Sequence, residues 1–195
     1  MKLKFIIMLS FITLSLSPCY GQKNKDGETG RNKSGNAVID AIMSRRSIRS
    51  YKKEQIKDEE LNKILECGIN APSAMNRQSW EIRVVQNPEI LKNLGSSFHN
   101  APTLIIIASV ADNFFSPVDC GLLGQNILLA AESLDIGTCV IGSILNAFET
   151  PEGAEVLKNL KLSEGYKPLY AIAVGYKNEK PDAKPRDKEK IKIIK

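Results

Sequence analysis

Histidine is almost missing from this chain of 195 residues: His99 is the only one, beside four cysteines and a single tryptophan. One imidazole excludes a His-rich zinc site and removes every Ser-His-Asp or Cys-His mechanism unless His99 serves. His99 stands before Asn100-Ala101-Pro102, a loop leading into a strand, where a surface histidine is the plainer reading. The cysteines make no framework, because Cys67, Cys120 and Cys139 follow Cys19 with no CxxC and no metal-like spacing. Each of these three sits in an apolar segment, the setting of a small buried hydrophobe. An oxidising compartment would permit one disulfide among them, with the pair left open. Neither GxGxxG nor GxxxxGK occurs, so no standard phosphate loop is present.

Strong charge of one sign is missing from the body of the chain. Lys and Arg number 27 against 22 Asp and Glu, a formal +5. Residues 177–195 hold eight basic and four acidic side chains, residues 22–176 hold 17 against 18, and Lys2 and Lys4 supply the rest. A nucleic-acid binder carries a basic face on its folded core, so no nucleic-acid partner is expected. With 43% apolar and 25% charged residues, the composition excludes collagen, wholesale disorder and a polytopic membrane protein. The length suits one domain that buries about two-thirds of its unfolded surface.

Residues 1–21 read as a signal peptide. Lys2 and Lys4 precede an apolar run from Phe5 to Leu16, of signal-peptide length and short of the roughly 20 residues a spanning helix needs. Cys19-Tyr20-Gly21 offers small residues for cleavage before Gln22. The competing reading is a lipid anchor at Cys19, since Leu16-Ser17-Pro18-Cys19 is similar to a bacterial lipobox from which Pro18 departs. The protein is therefore expected to be exported, periplasmic or lipid-anchored to the membrane. Residues 22–36 contain no apolar side chain and read as a flexible linker. Residues 37–195 form the domain, with an extended basic C-terminal tail.

Within that domain the periodicity predicts helices over Ala37–Arg45 and Asp58–Gly68, a strand over Trp80–Val85, and a strand buried on both faces over Thr103–Val110. Val118–Asp135 is the longest helix, apolar nearly all round, and belongs in the core or a subunit interface. Gly137–Ile141, Pro151–Leu160 and Leu169–Gly175 read as strand, helix and strand. These elements make an α+β layer protein.

Four segments carry chemistry. Arg45-Arg46-Ser47-Ile48-Arg49 closes the first helix; planar Arg forks with a hydroxyl suit a phosphate monoester, although Arg at a helix C-terminus also compensates the dipole. Ala71-Pro72-Ser73-Ala74-Met75-Asn76-Arg77-Gln78-Ser79-Trp80 is a polar loop whose Ser, Asn and Gln can bond the edge of a planar heterocycle, or simply turn the chain. Gly137-Thr138-Cys139-Val140-Ile141-Gly142-Ser143 is a strand ending where backbone can approach a ligand. Lys184-Pro185-Arg186 lies in the tail, where a solvated charge run is the bland alternative.

Together and in this order these segments resemble the nitroreductase family of FMN-dependent oxidoreductases. Arg45 to Arg49 resembles its phosphate motif, Ala71 to Trp80 its APSxxNxQPW loop, Asp119 to Gly142 its core helix and GxGTCxxG strand, and Lys184-Pro185-Arg186 its closing basic pair. The resemblance implies a mixed, mainly antiparallel central sheet flanked by helices, an intertwined homodimer, and FMN at the interface with residues of both chains in each site. It implies that Arg45, Ser47, Arg49, Lys184 and Arg186 hold phosphate and ribityl, with Arg46 near the pyrimidine O2. Pro72, Ser73, Ala74, Asn76 and Gln78 would line the isoalloxazine, and backbone at Ile141 and Gly142 would approach its N5 side. No side chain need be an acid or base, because the cofactor carries the chemistry. The implied reaction is ping-pong transfer from NAD(P)H to a small aromatic acceptor such as a nitroaromatic or quinone. The alternatives are another flavin reaction, such as flavin cleavage or reductive dehalogenation, or a non-catalytic exported binding module. Ser79 stands where the motif has Pro. Only Ala111 to Val118 joins the buried strand to the core helix, so an open site is expected.

Overall fold

A computed structural model describes residues 34–195 apart from Asp112. The expected leader at 1–21 and the linker as far as Lys33 lie outside the described residues. Ser34 to Asn36 form a cap: Ser34 donates from its backbone N and its Oγ to Asp40 Oδ1, each at 2.8 Å, and Asn36 Oδ1 accepts the Val38 and Ile39 N–H groups. The helix they start, α1 (Ala37–Ser44), ends where Arg45 leaves helical geometry at φ −51°, ψ 132°.

The elements that follow are α2 (Asp58–Ile69), β1 (Trp80–Val85), α3 (Pro88–Lys92), β2 (Thr103–Val110), α4 (Ser116–Ser133), β3 (Ile136–Ile141), α5 (Ile144–Ala147), α6 (Pro151–Asn159) and β4 (Tyr166–Tyr176). Asn87 caps α3 and Thr150 caps α6, each followed by a proline in the first turn. α4 starts two residues before the predicted Val118 because Ser116-Pro117 opens it, proline fitting a first turn. The four residues of α5 are too few to show a period, and that helix was not expected from the sequence.

The sheet runs β1-β2-β4-β3, with every neighbouring pair antiparallel. Among the described residues, parallel pairing is confined to an isolated bridge between Ser47 and Thr138. Side chains alternate across β2, as a doubly covered strand requires. Ile105 and Ile107 enter a core with Leu61 and Ile64 of α2 and Leu123 and Ile127 of α4. Leu104 and Ile106 enter a second core with Leu91, Ile144 and Val156 of α3, α5 and α6. Helices thus cover both faces of one sheet, an α+β sandwich of three layers.

Two close approaches lock α4 in place. A methyl group at Gly124 would stand 2.2 Å from the Tyr170 hydroxyl, and one at Gly68 of α2 would stand 2.7 Å from Ile127 Cγ1. Tyr170 itself donates to the Cys120 carbonyl, tying β4 to the helix. Cys120 and Cys139 are buried, Cys67 is half-buried, and all three are free thiols. α1 is the exception to the packing. Its apolar stripe, Val38, Ile39, Ile42 and Met43, is 49 to 69% exposed, and beside it a groove of about 510 Å³ runs between α1, α2 and α4. Among the described residues no helix is long and apolar enough to cross a membrane.

Candidate functional site

The cationic segment is woven into the sheet at the C-terminal end of α4. Ser47 forms the bridge to Thr138 of β3, and Ile48, 2% exposed, donates its N–H to the Thr138 carbonyl at 2.9 Å. The approach is tight, since a methyl at Gly137 would meet Ile48 Cγ2 at 3.0 Å. Tyr51 donates its hydroxyl to the Ile48 carbonyl at 2.6 Å and pairs with Lys177 just beyond β4. Burial, helped by the nearby Cys139 and Glu179, pushes that phenol well above its ordinary value. Glu132 of α4 takes the Ser44 hydroxyl at 2.7 Å and the Lys177 ammonium at 2.9 Å, and Lys177 also reaches Asp135 at 2.9 Å. Glu179 accepts the backbone N–H of Arg49.

This framework leaves Arg45 and Ser47 half-buried and Arg49 exposed, a turn of three guanidinium groups with a hydroxyl between them. Arg46 directs Nη1 to the carbonyls of Met43 at 2.9 Å and Arg45 at 2.8 Å, the helix-end role that basic residues often take. Below the turn lies Cys139. Burial raises its thiol above the ordinary value, and Arg49, the Ser47 hydroxyl and Arg45 only oppose that in part, so it is a protonated core residue rather than a nucleophile.

The Ala71–Trp80 loop sits at the other end of α4. Met75, Asn76 and Gln78 take the left-handed region at φ 53°, 53° and 51°, and the loop turns on the Asn76 and Arg77 N–H groups, which donate to the Ser73 and Ala74 carbonyls at 2.9 and 3.1 Å. The loop is held from within and from below. Ser73 Oγ accepts the Gln78 N–H at 3.0 Å, and both carboxylate oxygens of Asp119, 3% exposed, accept the Ala74 N–H at 3.1 and 3.2 Å. Ser79, in place of proline, is buried; its Oγ accepts from Asn113 Nδ2 at 3.2 Å and its carbonyl accepts the Ser116 hydroxyl at 2.6 Å. Pro72, Asn76 and Gln78 are exposed, Ser73 and Ala74 half-buried.

Ile141 ends β3 in the core, and Gly142 is exposed with open space beside its Cα. Lys184 and Arg186 are exposed, and Arg186 turns Nη1 onto the carbonyls of Lys184 and Pro185 at 3.3 Å. The structure thus brings Arg45, Ser47 and Arg49 together beside β3. It does not bring the loop to them: Asp119 and Glu132, which hold the two segments, lie thirteen residues apart on α4, about 20 Å of helix. The hydrogen bonds of the Lys184–Arg186 segment lie within the tail itself, among the described residues.

The profile described as the Nitroreductase family matches residues 42–100 and 94–176. The chain belongs to the nitroreductase family. A nitroreductase with bound FMN from Desulfitobacterium hafniense superposes with a TM-score of 0.77 at 31% identity, covering 82% of this chain and 99% of that one. Another with bound FMN, from Bacteroides fragilis, gives 0.76 at 29% identity over 82% of this chain and 100% of that one. Among curated relatives, an NADPH-flavin oxidoreductase of Vibrio harveyi is 30% identical over 173 residues, 77% of this chain and 70% of that protein. The nitroreductase fold expected from the motifs is the fold observed.

For a nitroreductase, three residues of this region were missed in the sequence. Asp119 is a lone acid at the head of an apolar helix, a signal that was available. Glu132 ends the same helix with only Asp135 near it, and Glu179 stands among the charges of the tail; nothing in the sequence marks either as a support.

Proposed function

We propose that this chain is an FMN-dependent oxidoreductase acting as a homodimer, each site combining the cationic turn of one copy with the 72–78 loop of the other. The observation that carries the reading is the placement of the two segments at opposite ends of α4. Arg46 and Asn76 cannot touch one ring from positions about 20 Å apart in one chain, and a second copy can supply the missing half. The exposed apolar face of α1 and the adjoining groove provide surface for that copy to cover.

The residues present fit the cofactor. Arg45, Ser47 and Arg49 offer guanidinium forks and a hydroxyl to a phosphate, and Lys184 and Arg186 close over it from the tail. Arg46 exchanges a helix-end carbonyl for the pyrimidine O2. Pro72, Ser73, Ala74, Asn76 and Gln78 would line the ring, and open space at Gly142 would admit its edge beside Ile141. When bound, FMN supplies the redox chemistry, accepting hydride from NAD(P)H and passing it to a nitroaromatic or quinone that takes the donor's place. The chain would hold the cofactor, and the connection from β2 to α4 carries no helix among the described residues, which favours a site open to a large acceptor. The FMN-bound neighbours and the flavin oxidoreductase relative support this assignment.

The test is an absorption spectrum of the purified chain, expected to show flavin, with FMN released on denaturation at about one copy per chain. A protein still colourless after incubation with FMN would overturn the assignment. Anaerobic NADH or NADPH should bleach the flavin and a nitroaromatic restore it; bleaching by dithionite alone would mean another donor. Export is part of the proposal, supported by the leader-like residues 1–21 and by the choice between cleavage and a Cys19 lipid. Mass spectrometry of the chain from a bacterial host should find Gln22 or a lipidated Cys19 at the N-terminus, and an intact Met1 in the cytosol would refute it.

A further inference from the structure

We propose that Glu179 is a positioning residue of the phosphate site: its carboxylate, accepting the backbone N–H of Arg49, fixes both the cationic turn and the root of the tail that carries Lys184 and Arg186. The proposal rests on the flavin-phosphate reading of that turn.

Glu179 closes a short zip between two segments far apart in sequence. Lys52 donates its N–H to the Tyr176 carbonyl at 2.9 Å, Tyr51 pairs with Lys177, and Asn178 donates its N–H to the Ser50 carbonyl at 3.0 Å and its amide to Ser50 Oγ at 3.2 Å. The carboxylate on Arg49 is the last tie in this series. Beyond it, the hydrogen bonds made by residues 180–195 all lie within the tail itself, among the described residues. Glu179 is therefore where the tail leaves the body of the protein. Five residues on, Lys184 lies within about 17 Å of that point, and Arg186 within about 24 Å. A root fixed at the turn keeps both cations at high local concentration around a phosphate held there.

The same contact sets the direction of Arg49. Its N–H is bound to Glu179, its Nη1 lies 3.5 Å from the Ser47 carbonyl, and its side chain is exposed. With the backbone fixed, the guanidinium has fewer orientations to lose when it meets an anion. Glu179 also brings a negative charge into the cluster, where it acts on Tyr51 and Cys139. Charge alone would oppose a phosphate. Positioning and charge thus pull in opposite directions, and two substitutions separate them.

Glu179→Gln keeps an oxygen acceptor for the Arg49 N–H and removes the charge; Glu179→Ala removes both. FMN and riboflavin, which differ by the phosphate, are titrated by fluorescence quenching against the full-length wild type and each variant. Glu179→Gln should bind FMN at least as tightly as wild type. Glu179→Ala should bind FMN about five- to tenfold more weakly than Glu179→Gln, the worth of one such hydrogen bond, with riboflavin affinity equal in the two. In the flavin-free protein, the Arg49 amide should exchange its hydrogen faster in Glu179→Ala than in Glu179→Gln, a readout independent of cofactor. A wild type that binds FMN, with both variants matching each other in FMN affinity, would overturn the role of Glu179 and leave the flavin reading standing. A wild type that binds neither flavin would end both.

Discussion

The two ends of α4 carry the two halves of the candidate site and hold them differently. At the C-terminal end, the cationic turn is woven into backbone: a bridge to β3, a zip to the residues after β4, and Glu132 gathering Ser44 and Lys177. At the N-terminal end, the 72–78 loop stands on one buried carboxylate, with three non-glycine residues in a left-handed conformation that disfavours each by about 1–2 kcal/mol. The difference separates two tasks. A phosphate asks for fixed charge that need not reorganise when it arrives. A flat ring asks for a loop of unusual backbone shape, one that regular structure cannot offer and that persists only where neighbours enforce it.

The comparison breaks most visibly at the turn. Arg45→Ala with Arg49→Ala removes two charge-assisted contacts of about 1.5–3 kcal/mol each, so FMN should bind at least about a hundredfold more weakly, with riboflavin little changed. Mixing that variant with Asn76→Ala/Gln78→Ala, after dissociation and reassociation, should restore one intact site in each mixed dimer, measured as flavin retained on gel filtration. A site built within one chain would recover nothing.

Next in size is the tail. Lys184→Ala with Arg186→Ala should weaken FMN by about ten- to a hundredfold, while Lys190→Ala with Lys192→Ala, which loses the same charge, should do little. Equal retention by the two would remove the tail from the site.

At the other end of the helix the signature changes. Asp119→Ala leaves the Ala74 N–H without its acceptor, a loss of about 1–3 kcal/mol in urea unfolding. It should weaken FMN and riboflavin by equal factors, since the ring and not the phosphate is affected. Asp119→Asn keeps an acceptor oxygen and should recover most of both.

The smallest effect lies outside the site. Tyr176 donates to Glu60 at 2.6 Å and, with the Lys57 N–H, holds that carboxyl below its ordinary value. A depressed folded value gives stability that is present above the ordinary carboxylate pKa and lost as pH falls through the folded one. Tyr176→Phe should therefore lower the melting temperature slightly at pH 7, and the gap should close as the pH drops below about 4.5.

Most of the layers were legible in the sequence. The unbroken apolar run of β2 predicted two covered faces, and Leu104 and Ile106 do part from Ile105 and Ile107 into separate cores. The cationic turn and the polar loop were legible because each is contiguous. The supports were not, for their partners lie far along the chain: Ala74 and Asp119 are 45 residues apart, Arg49 and Glu179 are 130. α1 shows a different limit. Its helical period is real, yet its apolar residues are exposed in a single chain, since periodicity identifies a face and not what covers it.

β4 is the last strand in sequence, and it lies inside the sheet, between β2 and β3. As the chain emerges N-terminus first, β1 and β2 can meet early, but β3 has no strand beside it until Tyr166–Tyr176 has emerged. The hydrophobic faces of both half-sheets are exposed throughout that interval, a state that invites aggregation. Any chain broken off before Tyr166 loses the element that joins the halves, so such a stop codon should give an insoluble product rather than a weaker enzyme. Completion of the sheet and delivery of the basic tail are consecutive events, separated by a few residues of synthesis.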